Sequence, residues 1–211
     1  MVPRLTRDPR VILIGGTSHT GKSTVARLIA SRLDWTYRPT DKMARHPGRP
    51  WPIPDRPVPP HVAEHYLTLS VDELIEDVVR HYTANVWPQV IALVEHHTTD
   101  TTAGGLVIEG SAVLPELAAR VNLPGVASVW FSVDDELLRE RLYTSSRHEK
   151  RSSRVRAMIE KFLARAQAFN NRTVDICERL GLVQVEVVAE AAPEHLANLC
   201  LAKLGVPWLC V

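Results

Sequence analysis

Eight consecutive residues limit what this chain can become. Gly16-Thr17-Ser18-His19-Thr20-Gly21-Lys22-Ser23 fits the pattern G-x-x-x-x-G-K-[ST] at every fixed position. Before it lies Val11-Ile12-Leu13-Ile14, a β-branched apolar run of the kind that forms a buried strand. After it, Val25, Leu28, Ile29 and Leu33 recur at helical spacing. A strand, a tight turn and a helix in that order aim backbone N–H groups at one point, where the helix start adds partial positive charge. Gly16 and Gly21 supply backbone angles that a side chain would forbid. Gly16, Thr17, Ser18, His19, Thr20, Gly21, Lys22, Ser23 and Thr24 are therefore the candidate cradle for nucleotide phosphates. Lys22 is placed to reach the β- and γ-phosphates, and Ser23 to present its hydroxyl to Mg²⁺.

The rest of the composition narrows the class. A chain of 211 residues suits one α/β domain with excursions. A formal net charge of +1 gives no global field toward nucleic acid or a membrane surface. Cys177, Cys200 and Cys210 are too widely spaced for a metal-ligand pattern and read as reduced thiols of a cytoplasmic protein. The apolar run after the basic N-terminus is too short for a signal peptide or a membrane span.

Taken in order, Trp35-Thr36-Tyr37 forms a second short strand ended by Pro39. Thr40-Asp41-Lys42 then falls at its carboxyl end, where open parallel sheets bind ligands, so Asp41 should face the phosphate site. Residues 44–60 hold seven prolines, which forbid helix and central strand. The segment is either a disordered linker or an ordered substrate loop; Arg45, His46, Arg49, Trp51 and Arg56 favour the loop, able to grip an anion. Ser70 and Glu73 form a capping box opening a helix to about Asn85, with a kink or break at Pro88 before the pattern resumes. His96-His97 reads as a solvated helix end, since adjacent residues do not share a helix face.

Leu106-Val107-Ile108-Glu109 is an apolar strand ending in an acid, so Glu109 is a candidate to hold Mg²⁺ or to orient the acceptor. A short helix over 114–121, a fourth strand over 126–133 and a helix opened by Asp134-Asp135-Glu136 follow. Residues 143–156 are basic and serine-rich: either a solvated connection or a mobile lid whose Arg147, Arg151 or Arg154 folds over the phosphates. A long amphipathic helix runs over 157–180, with Asn170-Asn171 either facing the acceptor or marking an exposed kink. A fifth strand over 183–188 and a helix from Pro193 to Leu204 close the chain.

Strands alternate with helices, which argues a parallel sheet with helices on both faces. The long helical insertion after strand two and the basic segment after strand four resemble the nucleoside-monophosphate-kinase branch of P-loop proteins. That resemblance implies a five-stranded sheet of order 2-3-1-4-5 in a single domain over 1–211. It also implies an acceptor-binding insertion over 42–104 and a lid over 143–156. The runs Gly15 to Thr24, Thr40-Asp41 with Arg45 to Trp51, and Ile108-Glu109-Gly110-Ser111 are similar to bacterial proteins known as 2-phosphoglycerate-kinase-like. By analogy with gluconate, shikimate and chloramphenicol kinases, the resemblance assigns the acceptor hydroxyl to the Asp after strand two, here Asp41. The commoner Asp after strand three is absent, with Glu109 in its place. The expectation is an ATP- and Mg²⁺-dependent kinase of a small hydroxylated metabolite. Lys22, Asp41, Arg147 and Arg151 are its candidate catalytic residues. Asp41, Arg45, Arg49 and Glu109 would bind the acceptor, and Ser23 and Glu109 the metal. A regulatory ATPase or GTPase switch with water as acceptor is the alternative, and a homodimer is left open.

Overall fold

The computed structural model describes residues 9–44, 48–53 and 57–207. Arg45, His46, Arg56 and Cys210 lie outside them. Five parallel strands form one sheet: β1 (Val11–Gly16), β2 (Thr36–Pro39), β3 (Leu106–Glu109), β4 (Val126–Val133) and β5 (Gln184–Val187), in the order β2-β3-β1-β4-β5. β1 and β3 are wholly apolar up to their ends and buried throughout, as strands covered on both faces must be. β2 is an edge strand, which is where Pro39 does no harm to a ladder.

Register decides where the chemistry falls. Ile14 of β1 lies beside Glu109 of β3, and Pro39 of β2 lies beside the same Glu109. The exits of β1, β2 and β3 therefore open side by side. Gly110, at φ 147°, lets the β2 exit close in: a Cβ there would stand 1.8 Å from the Thr40 hydroxyl oxygen.

Helices α1 (Lys22–Leu33) and α8 (Pro193–Lys203) cover one face of the sheet through Val25, Ile29, Leu196 and Leu201. α4 (Trp87–Thr99) covers part of the other through Val90 and Val94, next to the short α5 (Pro115–Ala118). α7 (Ser153–Leu180) packs with α6 (Asp135–Ser146) and with the insertion helices α2 (Pro60–Thr68) and α3 (Val71–His81). None of the described helices is long and apolar enough to cross a membrane.

Several expectations change at the level of elements. Pro60 does not prevent a helix but starts one, because the first helical position needs no N–H. The capping box holds, with Glu73 N donating to Ser70 Oγ and Ser70 N to Glu73 Oε2. The break falls before Pro88: Tyr82–Val86 forms a π-helical turn, and Trp87 N bonds back to Tyr82 O. Pro88 has no N–H to offer a carbonyl one turn back, so the bonding slips to the wider spacing ahead of it.

Over residues 143–156, α6 ends, the chain turns and α7 begins. Arg147, at φ 55°, ends α6, a single 3₁₀ turn follows over His148–Lys150, and Ser152 caps α7. His148 is buried, its ring stacked on Tyr143 at 4.0 Å. Asn170-Asn171 neither faces the acceptor nor kinks α7, which runs unbroken through them. Asn170 is buried: its Nδ2 donates to Val133 O at 3.0 Å and its Oδ1 accepts from Val133 N at 3.3 Å. It satisfies the backbone at the end of β4.

Candidate active site

A cavity of about 300 Å³ opens where β1, β2 and β3 end. Its phosphate side is the loop between β1 and α1. Gly16 at φ 128° and Gly21 at φ 83° take angles that favour glycine, and His19 adopts φ 63° between them. Lys22 is buried, and its Nζ donates to Thr17 O at 2.6 Å. Thr20 Oγ1 donates to the same carbonyl, and Thr17 Oγ1 donates to Ala166 O of α7 at 3.0 Å. The loop is thus wrapped around its own lysine and tied to the long helix. Burial lowers the Lys22 pKa; Glu109 and Asp41 oppose that, and Arg49 adds to it.

The same loop carries two buried polar atoms without a hydrogen-bond partner among the described residues, Ser18 Oγ and His19 Nδ1. Buried orphans of this kind fit a site shaped for an oxygen-rich ligand. His19 is held neutral. Burial first, then Arg49, Lys22 and Arg141, push its pKa down to about 4. Its Nε2 lies 2.9 Å from Ser145 Oγ on α6, and its carbonyl accepts from Arg141 Nη1 at 3.3 Å.

Glu109 is buried and accepts a hydrogen bond from Tyr37 Oη at 2.8 Å. Burial and Glu109 raise the Tyr37 phenol to about 12, against the opposing effect of Arg27 and of a hydrogen bond from Ser23. Ser23 and Glu109 both act on the Tyr37 phenol and both line the cavity beside the phosphate loop. That pair suits Mg²⁺, which keeps several waters and takes few protein ligands.

The cavity brings together Lys22, Ser23, Asp41, Arg49 and Glu109. Asp41 stands in a 3₁₀ turn over Thr40–Lys42 directly after β2. Arg49 reaches the cavity from the proline-rich segment, and Trp51 two residues on is buried, edge-on to Phe162 at 5.1 Å. In the described part of that segment Pro50 and Trp51 are buried, while Gly48, Arg49 and Ile53 are exposed. Arg147 and Arg151 do not line the cavity. Arg147 is exposed at the α6 corner; Arg151 Nε donates to Ser146 O at 2.7 Å and its Nη2 to Pro52 O at 3.0 Å. Arg151 pins the proline-rich wall to the corner instead of reaching for phosphate. Thr20 and Thr24 do not line the cavity either: Thr20 bonds within the loop and Thr24 is exposed on α1.

Sequence reasoning missed the wall built by the helices. Val78, Tyr82 and Val86 come from α3 and the π-helical turn, and Phe162, Arg165, Ala166 and Phe169 from one face of α7. Arg165 carried a readable signal: it interrupts the apolar stripe of 162, 166 and 169 with a cation. Tyr37 and Ser111 gave none. Elsewhere the thiols of Cys177 and Cys200 are buried and raised to about 12, which removes them as nucleophiles. His96 is exposed at the end of α4, and no group of three potential metal ligands exists among the described residues.

No protein-family model matches the chain, and no curated protein matches it in sequence. Solved structures do. A gluconokinase from Sinorhizobium meliloti is 17% identical, with 94% of this chain and 93% of that chain covered and a TM-score of 0.50. A shikimate kinase from Aquifex aeolicus is 16% identical over 92% of this chain and 96% of that one, TM-score 0.49. A deoxyadenosine kinase from M. mycoides is 12% identical over 92% and 99%, TM-score 0.48. The finer resemblance to 2-phosphoglycerate-kinase-like proteins rests on the sequence runs alone. With the loop geometry and the strand order, the likeness to the gluconokinase shows that this chain has the fold of the P-loop small-molecule kinases.

Proposed function

We propose that the protein transfers the γ-phosphoryl group of ATP to a hydroxyl of a small metabolite. The observation that carries this reading is the meeting of Lys22 and Asp41 in one cavity, with Glu109 and Ser23 beside them. Lys22 and the loop amides neutralise charge on the transferring group. Asp41 takes the proton of the acceptor hydroxyl as its oxygen bonds to phosphorus, and the bond to the β–γ bridging oxygen breaks, releasing ADP. Ser23 and Glu109 would hold Mg²⁺, which when bound would supply positive charge to offset that of the phosphates. Arg49, whose charge bears on Lys22 and His19, stands at the phosphate end. Much of the rate then comes from positioning, as phosphoryl transfer requires.

The gluconokinase fold supports an organic acceptor over water. So does the cavity itself, whose lining includes the large side chains of Tyr82, Phe162 and Phe169, which a water acceptor would not use. The test is to incubate the protein with Mg²⁺-ATP and pooled hydroxylated metabolites and to read masses. A phosphorylated organic product is expected. ADP and inorganic phosphate alone, across acids, sugars and nucleosides, would support the switch instead.

A further inference from the structure

We propose that Tyr37 is a positioning residue for the metal, its hydroxyl holding the Glu109 carboxylate in the orientation that Mg²⁺ needs. This rests on the phosphotransfer reading above and adds to it a residue outside the cavity. Glu109 lines the cavity and Tyr37 does not. The phenol donates to Glu109 Oε1 at 2.8 Å. It has one proton, so this bond turns the carboxylate without occupying Oε2. Glutamate has one more rotatable bond than the aspartate commoner at this place, and so more freedom to lose before it can serve a metal. A donor fixed on the next strand removes that freedom in advance.

The ladder puts Tyr37 where only a long side chain serves. Pro39 of β2 lies beside Glu109 of β3, and Tyr37 lies beside Val107. Alternate residues of a strand share a face, so Tyr37 and Glu109 project to the same side, two residues apart, about 6.6 Å along the strand. A tyrosine covers that offset with its hydroxyl at the far end; a serine or threonine would fall short. The shared side is that of α1, since Val107 packs in one core with Val25 and Ile29. Ser23 and Arg27 are one turn apart on α1 and face the same way. The Arg27 guanidinium lies 5.0 Å from the Tyr37 ring centre, and Ser23 acts on the phenol. Both proposed metal ligands, one on α1 and one on β3, therefore bear on one side chain of β2. A buried carboxylate also needs a partner for its own sake, and metal affinity separates the two roles.

Mn²⁺, which takes the same oxygen ligands as Mg²⁺, is the probe. It is titrated into the whole chain with β,γ-imido-ATP and read from the EPR signal of free Mn²⁺; calorimetry in EDTA gives the metal-free nucleotide affinity, and thermal melts report folding. Tyr37→Phe should weaken Mn²⁺ by about tenfold or more, the scale on which groups behind a metal ligand act, with nucleotide affinity in EDTA kept. Glu109→Asp draws the carboxylate back from the phenol, so in that background Tyr37→Phe should change Mn²⁺ affinity by less than about twofold. If Tyr37→Phe does not fold, Arg27→Gln takes its place: it keeps the phenol, frees the ring, and should weaken Mn²⁺ by about twofold to fivefold. Unchanged Mn²⁺ affinity in the folded variant overturns the proposal. So does an equal loss in both backgrounds, or loss of nucleotide binding in EDTA. A phosphorylated organic product with Mn²⁺ affinity indifferent to Tyr37 overturns this inference and leaves the kinase reading intact. Tyr37-dependent Mn²⁺ binding with no phosphorylated product from any metabolite does the reverse.

Discussion

Lys22 is buried with its charge turned onto a carbonyl of its own loop, and a triphosphate would replace that carbonyl with stronger acceptors. Removing the amine should therefore cost turnover far more than stability. Lys22→Ala is expected to lose ATP turnover by at least about 100-fold, the scale on which a phosphate-facing donor acts; unchanged turnover would contradict its role. His19 gives a pH signature. Its folded pKa of about 4 lies below the ordinary value of 6.5, so the unfolded chain binds more protons between those two pH values. Stability should be fully present above pH 6.5 and fall as pH drops toward 4. Chemical denaturation of His19→Gln should show a flatter acid limb than the parent, and an identical limb would mean that His19 is not buried neutral. Tyr37→Phe removes the phenol that bonds Glu109. Leaving that carboxylate short of a partner should cost about 1–3 kcal/mol, readable in a urea titration, unless the metal is added back.

Elements differ in how much of them the residues announced. β1, the phosphate loop and α1 were legible because their constraints are local: an apolar run, fixed glycines and helical spacing. The stripe of α7 was legible for the same reason, but the use of Asn170 was not. Its partner Val133 is 37 residues earlier, and only the packing of α7 against β4 joins them. Asn170→Leu should strand both polar groups of Val133 and destabilise the fold by about 2 kcal/mol or more, without altering ATP affinity. Denaturant melts and nucleotide titration separate the two effects; equal stability would make the bond incidental. α2 was hidden because its proline-dense approach looked hostile to helix, although Pro60 needs no N–H where it stands. The corner between α6 and α7 was not legible from composition. Charge and serine content could not reveal that Arg147 turns the chain at a positive φ or that Arg151 binds the carbonyl of Pro52.

At the scale of the molecule, the order β2-β3-β1-β4-β5 gathers three strand exits into one place, and the cavity is the consequence. Asp41 and Glu109 are 68 positions apart in sequence and neighbours because Pro39 and Glu109 share a register position. The strand order came from a family likeness and not from spacing, since many windings satisfy the same alternation of elements. The acceptor wall was out of reach for a related reason: α3, the π-helical turn and α7 meet only after folding, and no local pattern marks their shared face. The central claim is that Asp41 faces Lys22 across a gap where a hydroxyl is phosphorylated. The most direct measurement is the phosphorylated product formed by Asp41→Asn against the parent, with ATP affinity measured on both. ATP affinity should be retained while product formation falls by about 100-fold or more, as loss of a general base implies. Product formation at the parental rate, or loss of ATP binding with it, would contradict the account.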